Sequence, residues 1–337
     1  MADVIEIKFD GKRYGDWQNV RVRESVDELC ASVQFTAIRP GKWSSLGLTV
    51  NTVVQVLVNG TPVTTIRPGK IPRKVSADSH TITISGRSLA RELVDCQYSK
   101  TLKGLKLGEI VKSICSLFKV PVKIDAATEL VPDFAMQCEV PANTLINAAR
   151  VANLLLYPTA DGGLILTAPS NGSPVATLVY GVDFLEYEVA DDFDMRFSDY
   201  RVKSFDHENN KEINGKVVKD AGVTFFRPLH IVADRSGHTI GSCTRRAELE
   251  RNRRLAKAHA ISFTVSGFGH AAGLWAVNTQ VRVVIPDEDI DGVFLIGQRE
   301  FSQDEKSGST THMQVLHRNA FMGEPPKKMK RSAGARK

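Results

Sequence analysis

The chain lacks most of what marks a reactive or cross-linked protein. Its five cysteines, Cys30, Cys96, Cys115, Cys138 and Cys243, are odd in number and widely spaced, with no CxxC pair. Such spacing supplies neither a disulfide framework nor a zinc site. Cys30 and Cys115 have apolar neighbours and read as small buried thiols, and a reducing compartment, the cytoplasm, suits them. No apolar run reaches the roughly 18 residues of a membrane span; runs such as Val53–Val58 are interrupted, here by Gln55, and are of strand length. The opening MADVIEIKFD has no basic segment leading into an apolar one, so it does not read as a signal peptide. Eight histidines are scattered without an HExxH, with His312 and His317 five apart, and there is no GxSxG. The commonest cues for a zinc hydrolase and for an α/β-hydrolase nucleophile are therefore missing. Adjacent acids such as Asp191 and Asp192 would serve a glycosidase only at a suitable separation in space, and in a loop they read as solvated. No cofactor and no catalytic constellation follows from these residues.

What is present suffices for a folded body. At 337 residues, two or three compact units are expected. A hydrophobic share of 42% and a charged share of 24% allow an ordinary buried core. The net charge of +6 is unevenly placed. Residues 323–337 carry six Lys or Arg against one Glu, and residues 244–258 carry five Arg and one Lys against two Glu. These segments hold +5 and +4, which leaves −3 for the remainder. The body is thus not the basic surface of a DNA-binding domain.

Residues 1–98 alternate apolar and polar side chains with the period of half-buried strands. Ile5, Ile7 and Phe9 share one face; Val20 and Val22, Val33 and Phe35, and Val54, Val56 and Val58 repeat the pattern. Asn59-Gly60 suits a type I′ hairpin turn. Near Leu102 the period becomes helical: Leu107, Ile110, Val111, Ile114, Leu117 and Phe118 form one stripe, closed by Val120-Pro121. A second helix is predicted from about Thr144 to Leu156, then a strand from Leu164 to Thr167, so residues 99–172 read as a small α/β unit. Strands return over residues 173–322, including an edge strand within Val223–Val232 and a hairpin from Val293–Phe301 back through Thr311–Leu316. A helix at about 244–258 interrupts them. The fold class is therefore α+β, mainly β, with two small barrel-like domains, an α/β unit between them and an inserted Arg-rich helix. Residues 323–337 read as a disordered basic tail.

Three features invite a sharper reading. Asp287, Asp289, Asp291 and Gly292 match the opening of an EF-hand loop, but its twelfth position is Gln298, not a bidentate Glu. The flanks read as strands, and a solvated acidic hairpin turn is the better account. Gly267-x-Gly269-x-x-Ala272 resembles a dinucleotide fingerprint, but the strand at Val281 leaves no room for the helix that would hold a pyrophosphate. The 244–258 helix has a thin apolar stripe of Ala247, Leu255 and Ala258, and its i,i+4 pairs Arg246–Glu250 and Glu250–Arg254 offset part of its charge. A solvated face is expected of it, or else docking on an acidic partner. The tail has no aromatics, so any nucleic-acid contact there is non-specific.

A more specific stretch is Ile82-Thr-Ile84-Ser-Gly86-Arg87-Ser88-Leu89, followed by Leu93-Val94-Asp95-Cys96. Here Gly86 is expected to end a strand and Ser88 to cap the next turn. The stretch resembles the strand, GRS and LVDC signature of the baseplate hub proteins of Mu-like contractile-tailed phages, relatives of the late-control protein D family and of the T-even hubs. Gly273-Leu-Trp275-x-x-Asn278, leading through Val281–Val283 to Gly292 and Phe294–Ile296, is similar to the closing strands of that family. The resemblance reaches about Met322. It implies a homotrimer in the virion tail, assembled in the host cytoplasm. Three chains with two barrel-like domains each would make six similar units, joining a hexameric tail tube to a trimeric spike within the baseplate, and DNA would pass without specific contact. The rival readings are a tail-associated cell-wall hydrolase and a receptor- or carbohydrate-binding tail protein.

Overall fold

A computed structural model describes residues 3–38, 47–76, 80–206, 210–233 and 239–322. The basic tail at 323–337 lies outside them. The alternating segments are strands: Ile5–Phe9 buries Ile5, Ile7 and Phe9, Asn19–Ser25 buries Val20 and Val22, and Ser32–Ile38 buries Val33 and Phe35. Asn59 and Gly60, at φ 49° and 77°, turn Val54–Val58 into Thr61–Pro68, the positive φ pair of a type I′ turn. Gly86 does not end its strand. His80–Ser88 runs straight through it, and a Cβ at position 86 would lie 2.6 Å from Ile66 and 2.9 Å from the Arg67 carbonyl oxygen. The glycine lets two backbones approach, which is a different use from termination.

The middle unit begins with helix α1 (Arg91–Asp95), then pairs Tyr98–Lys106 with Leu130–Glu139. Helices α2 (Leu107–Leu117) and α3 (Pro141–Val151) cover a sheet of Val122–Asp125, Leu164–Thr167 and Leu155–Pro158. The second helix thus starts and ends earlier than its apolar spacing predicts. Pro141 suits its first turn, and Asn153, at φ 56°, takes the chain out of the helix so that Leu156 lies in a strand.

The two β-rich regions do not close into separate barrels among the described residues. Their strands join one 14-stranded sheet, because Ile290–Asp304 pairs antiparallel with Asn19–Ser25. One apolar core runs beneath both, from Ile5 to Val315. The two regions repeat a pattern. In the first, the neighbour order is Asn19–Ser25, Ser32–Ile38, His80–Ser88, Thr61–Pro68 and Val54–Val58. In the second it is Tyr187–Val189, Ile261–Ser266, Gly308–Leu316, Ile290–Asp304 and Gln280–Ile285. All these pairings are antiparallel, and the five strands follow each other along the chain in the same order in both regions.

Between Tyr187–Val189 and Ile261–Ser266 the chain inserts more than a helix. Asp199–Asp206 pairs with Lys211–Asn214, Val218–Lys219 and Pro228–Val232, and helix α4 (Ile240–Ala258) packs on that sheet. Pro228 is the first residue of its strand, which pairs on one side only among the described residues. Helix α4 begins at Ile240, where Thr239 and Ser242 cap each other reciprocally. No helix among the described residues is long and apolar enough to cross a membrane.

Candidate assembly surfaces

The junction between the two β regions is a continuous antiparallel pairing with a buried ion pair. Its register runs from Gln298 opposite Ser25 to Asp304 opposite Asn19, with Phe301 opposite Val22 in the core. Arg299 stands opposite Glu24 and forms an ion pair with it, both side chains buried. Arg299 also donates through Nη1 to the Trp275 carbonyl oxygen at 2.7 Å and lies 4.1 Å above the Phe301 ring. Burial pushes the Glu24 carboxyl up, against the pull of the guanidinium. A pair held in this way carries little net stability, but removing one partner strands a charge in the core.

A second charge cluster ties three units together. Asp27, in the loop after Asn19–Ser25, accepts from Arg253 at 2.7 Å and Lys257 at 2.8 Å on α4, and faces Arg150 of α3 at 3.5 Å. Burial alone would raise the Asp27 carboxyl; the three cations more than offset this and hold it below the usual range. Desolvation, added to by Arg253, brings the Arg150 guanidinium down to about 10. Helix α4 is therefore not a solvated face. Cys243 and Ala247 pack against Tyr200 and Val202, the buried Asn252 donates to the Met322 carbonyl oxygen at 3.0 Å, and Arg253 and Lys257 of its last turns converge on Asp27.

The motif residues fall at these joints. Arg87 pairs with Asp95 across the end of its strand, linking the first β region to α1. Ser88 is buried and caps no helix; the N-cap position of α1 is Ala90, with no side-chain bond. Trp275 is buried beside His270, with ring centroids 4.7 Å apart. Asn278, at φ 58°, accepts from Ser170 N at 2.9 Å and donates to the Ala168 carbonyl oxygen at 3.2 Å, so it fastens the exit of the middle unit to the closing strands. Gly292 lies opposite Val283 in the hairpin, close under the Phe294 ring.

The remaining sequence features take structural places. Pro286–Glu288 forms a short 3-10 turn, Asp289 adopts a left-handed conformation, and Asp291 holds Arg282 through two bonds of 2.8 Å. Asp287, Asp289 and Asp291 thus occupy a hairpin turn, with no three-ligand His, Cys, Asp or Glu group for a metal ion among the described residues. The glycine-rich loop is a two-residue ribbon of Gly269–His270 and Gly273–Leu274. Asp191 bonds His259 at 2.9 Å, and Asp192 caps the turn at Asp194. Burial pushes the Cys30 thiol up to about 11 and Cys115 up to about 12, so neither is a thiolate at neutral pH. The sequence offers no sign of the Asp27 cluster or the Glu24–Arg299 pair, since their partners are far apart along the chain.

Three family models match the chain in order, leaving residues 169–238 between the second and third. Residues 4–88 match "Mu phage baseplate assembly protein GpP-like, N-terminal", residues 90–168 match "Baseplate hub protein gp44-like, second domain", and residues 239–324 match "Mu phage baseplate assembly protein GpP, fourth domain". The baseplate hub protein gp44 of Escherichia phage Mu is 26% identical over 344 residues, covering 96% of this chain and 90% of that protein. The chain belongs to the baseplate hub proteins of Mu-like phages. Its fold is that of the 43 kDa tail protein of prophage MuSo2 from Shewanella oneidensis, with a TM-score of 0.81 at 22% identity over 95% of this chain and 99% of the other. The tail protein from Neisseria meningitidis MC58 gives 0.83 at 21%, over 96% and 99%. The E. coli c3393 protein, a type VI secretion component described as similar to the T4 tail proteins gp27 and gp5, gives 0.58 at 10%, over 95% and 79%. This hub is a structural part of a phage tail baseplate, located in the virion, and the names of its relatives fit a role without catalysis.

Proposed function

We propose that three copies of this hub form a ring that joins a hexameric tail tube to a trimeric spike and lets DNA through during ejection. The observation that carries the reading is the five-strand repeat. One chain presents two alike β units, so three chains present six, which matches a sixfold partner on one side and a threefold partner on the other. A body whose net charge falls below zero once its two basic segments are set aside suits DNA passage without a binding grip. Assembly in the host cytoplasm, with other baseplate proteins as neighbours, accords with five free cysteines. The test is native mass. An assembly of about 111 kDa, three times the 37.0 kDa chain, that persists at high salt supports the ring. A strict monomer at micromolar concentration removes it.

A second reading has one observation behind it. Phe225 and Phe226, at 65% and 83% exposure, stand on a loop of the inserted unit, and exposed aromatics are a usual means of gripping a sugar or receptor. Host adsorption unchanged by Phe225→Ala with Phe226→Ala would dispose of it.

A further inference from the structure

The repeat does more than count units; it supplies a template for how they join. Within the chain, one junction connects the second unit to the first: residues 298–304 pair with Asn19–Ser25. The repeat assigns each side a counterpart. Val20 opposite Phe35 corresponds to Tyr187 opposite Phe263, and Phe35 opposite Ile84 corresponds to Phe263 opposite Met313. Tyr187–Val189 is thus the counterpart of residues 20–22.

On the other side, residues 61–75 are the counterpart of Ile290–Asp304. Both runs leave a hairpin, pass a glycine, Gly69 or Gly297, and shift register by one residue near it. Both then continue along the same neighbour. Gly69 N donates to Ser85 O at 2.7 Å, Ser85 N to Lys70 O at 2.9 Å and Thr83 N to Pro72 O at 3.1 Å, before Arg73–Val75 pairs with residues 80–82. Arg73, Lys74 and Val75 therefore correspond to Phe301, Ser302 and Gln303.

Each counterpart has strand pairing on one side only among the described residues: Arg73–Val75 with His80–Ser88, and Tyr187–Val189 with Ile261–Ser266. Open edges of this kind are templates for another chain. Their charges are opposite. Lys70 and Lys74 are exposed on one edge, Glu186 and Glu188 on the other. Each edge also exposes an apolar side chain, Val75 at 68% and Leu185 at 75%.

We propose that Arg73–Val75 of one copy pairs antiparallel with Tyr187–Val189 of the next, with Lys74 opposite Glu188 and Val75 opposite Tyr187. The contact repeats between copies the junction each chain makes within itself. It is head-to-tail, the kind of contact that makes a ring of alternating units where its rotation closes. This inference rests on the ring reading and names the surface that closes it.

The test uses the full chain with Cys138→Ala, which removes the exposed native thiol, plus Lys74→Cys and Glu188→Cys. Native mass is read first, on the chain that keeps Lys74 and Glu188, and cross-linking of the double-cysteine chain second, after mild oxidation, on a denaturing gel. The expected result is a 111 kDa assembly, three times the 37.0 kDa chain, whose chains become covalent dimers and trimers, at least about tenfold more than with the control pair Lys74→Cys and Glu212→Cys, whose second site lies on the separate sheet of the inserted unit. An assembly of that mass without in-register cross-links overturns the junction and leaves the ring. A monomer overturns both. As a second measurement, Lys74→Glu should weaken assembly on the order of fivefold per junction, and adding Glu188→Lys should restore it; weakening without restoration counts against the register.

Discussion

The two charge clusters at the joints of this hub use similar residues in opposite ways. Glu24 and Arg299 form one closed pair inside the sheet, with a third partner in the Trp275 carbonyl and an aromatic ring beneath. Asp27 sits among three cations at the meeting of a loop and two helices, where its side chain keeps 20% exposure. The first is sealed, so its value lies in register: a slip of one residue would leave both charges unpaired in the core. The second is partly wet and over-supplied with cations, so it tolerates adjustment and its strength follows pH. The chain has both, a fixed joint within the large sheet and an adjustable one where α3 and α4 meet the loop after Asn19–Ser25.

The comparison breaks most sharply at Arg299. Arg299→Met should cost about 3–5 kcal/mol, because it leaves the Glu24 carboxylate buried without its cation. Adding Glu24→Leu should recover most of the loss, since an apolar pair of similar volume needs no compensation. Urea denaturation of the single and double variants measures both. If the double variant stays as unstable as the single one, the joint depends on charge and the sealed-pair account fails. Next in size is Asn278→Ala, at about 2 kcal/mol, combining a left-handed backbone with lost bonds to Ser170 and Ala168. Asn278→Gly keeps the backbone freedom, so the gap between the two variants isolates the conformational share.

Much of the fold can be read from residue order, because half-buried strands and amphipathic helices leave periodic traces. Ile5, Ile7 and Phe9 alternate as the structure has them, Asn59-Gly60 turns the hairpin, and Leu164–Thr167 is a strand as expected. Other features leave no such trace. Helix α4 reads as solvated because its buried face, Cys243, Ala247, Leu249, Asn252 and Ala258, has one large apolar side chain and is otherwise small or polar. Small residues carry weak hydrophobic signal, yet they let the helix lie so close that a Cβ on Gly215 would be 2.9 Å from that of Cys243. The α3 boundary is set by Asn153 at positive φ, which periodicity misses. The five-strand repeat lives in pairing and not in side chains: Gly69 and Gly297 correspond, but Arg73, Lys74 and Val75 share no chemistry with Phe301, Ser302 and Gln303. The Asp27 cluster joins residues more than a hundred positions apart, and charge pattern along the chain cannot bring them together.

The finest distinction between the two clusters is their response to acid. Asp27 has a native pKa below its unfolded value of about 3.9. Its contribution is therefore fully present above the unfolded value and fades as pH falls through the native one. At neutral pH, Asp27→Asn should lower stability by about 1–2 kcal/mol, in keeping with a partly buried, charge-assisted cluster. Below about pH 4 the gap between wild type and variant should narrow, because the unfolded chain then takes up the proton first and the native carboxyl follows only below its own lowered pKa. The control is Arg282→Ala at the exposed Asp291 pair, where solvent screening should leave the urea midpoint unchanged. A wild-type-to-variant gap for Asp27→Asn that stays constant from pH 7 to pH 3 would mean that the three cations hold the helices by packing alone, and the adjustable joint would lose its physical basis.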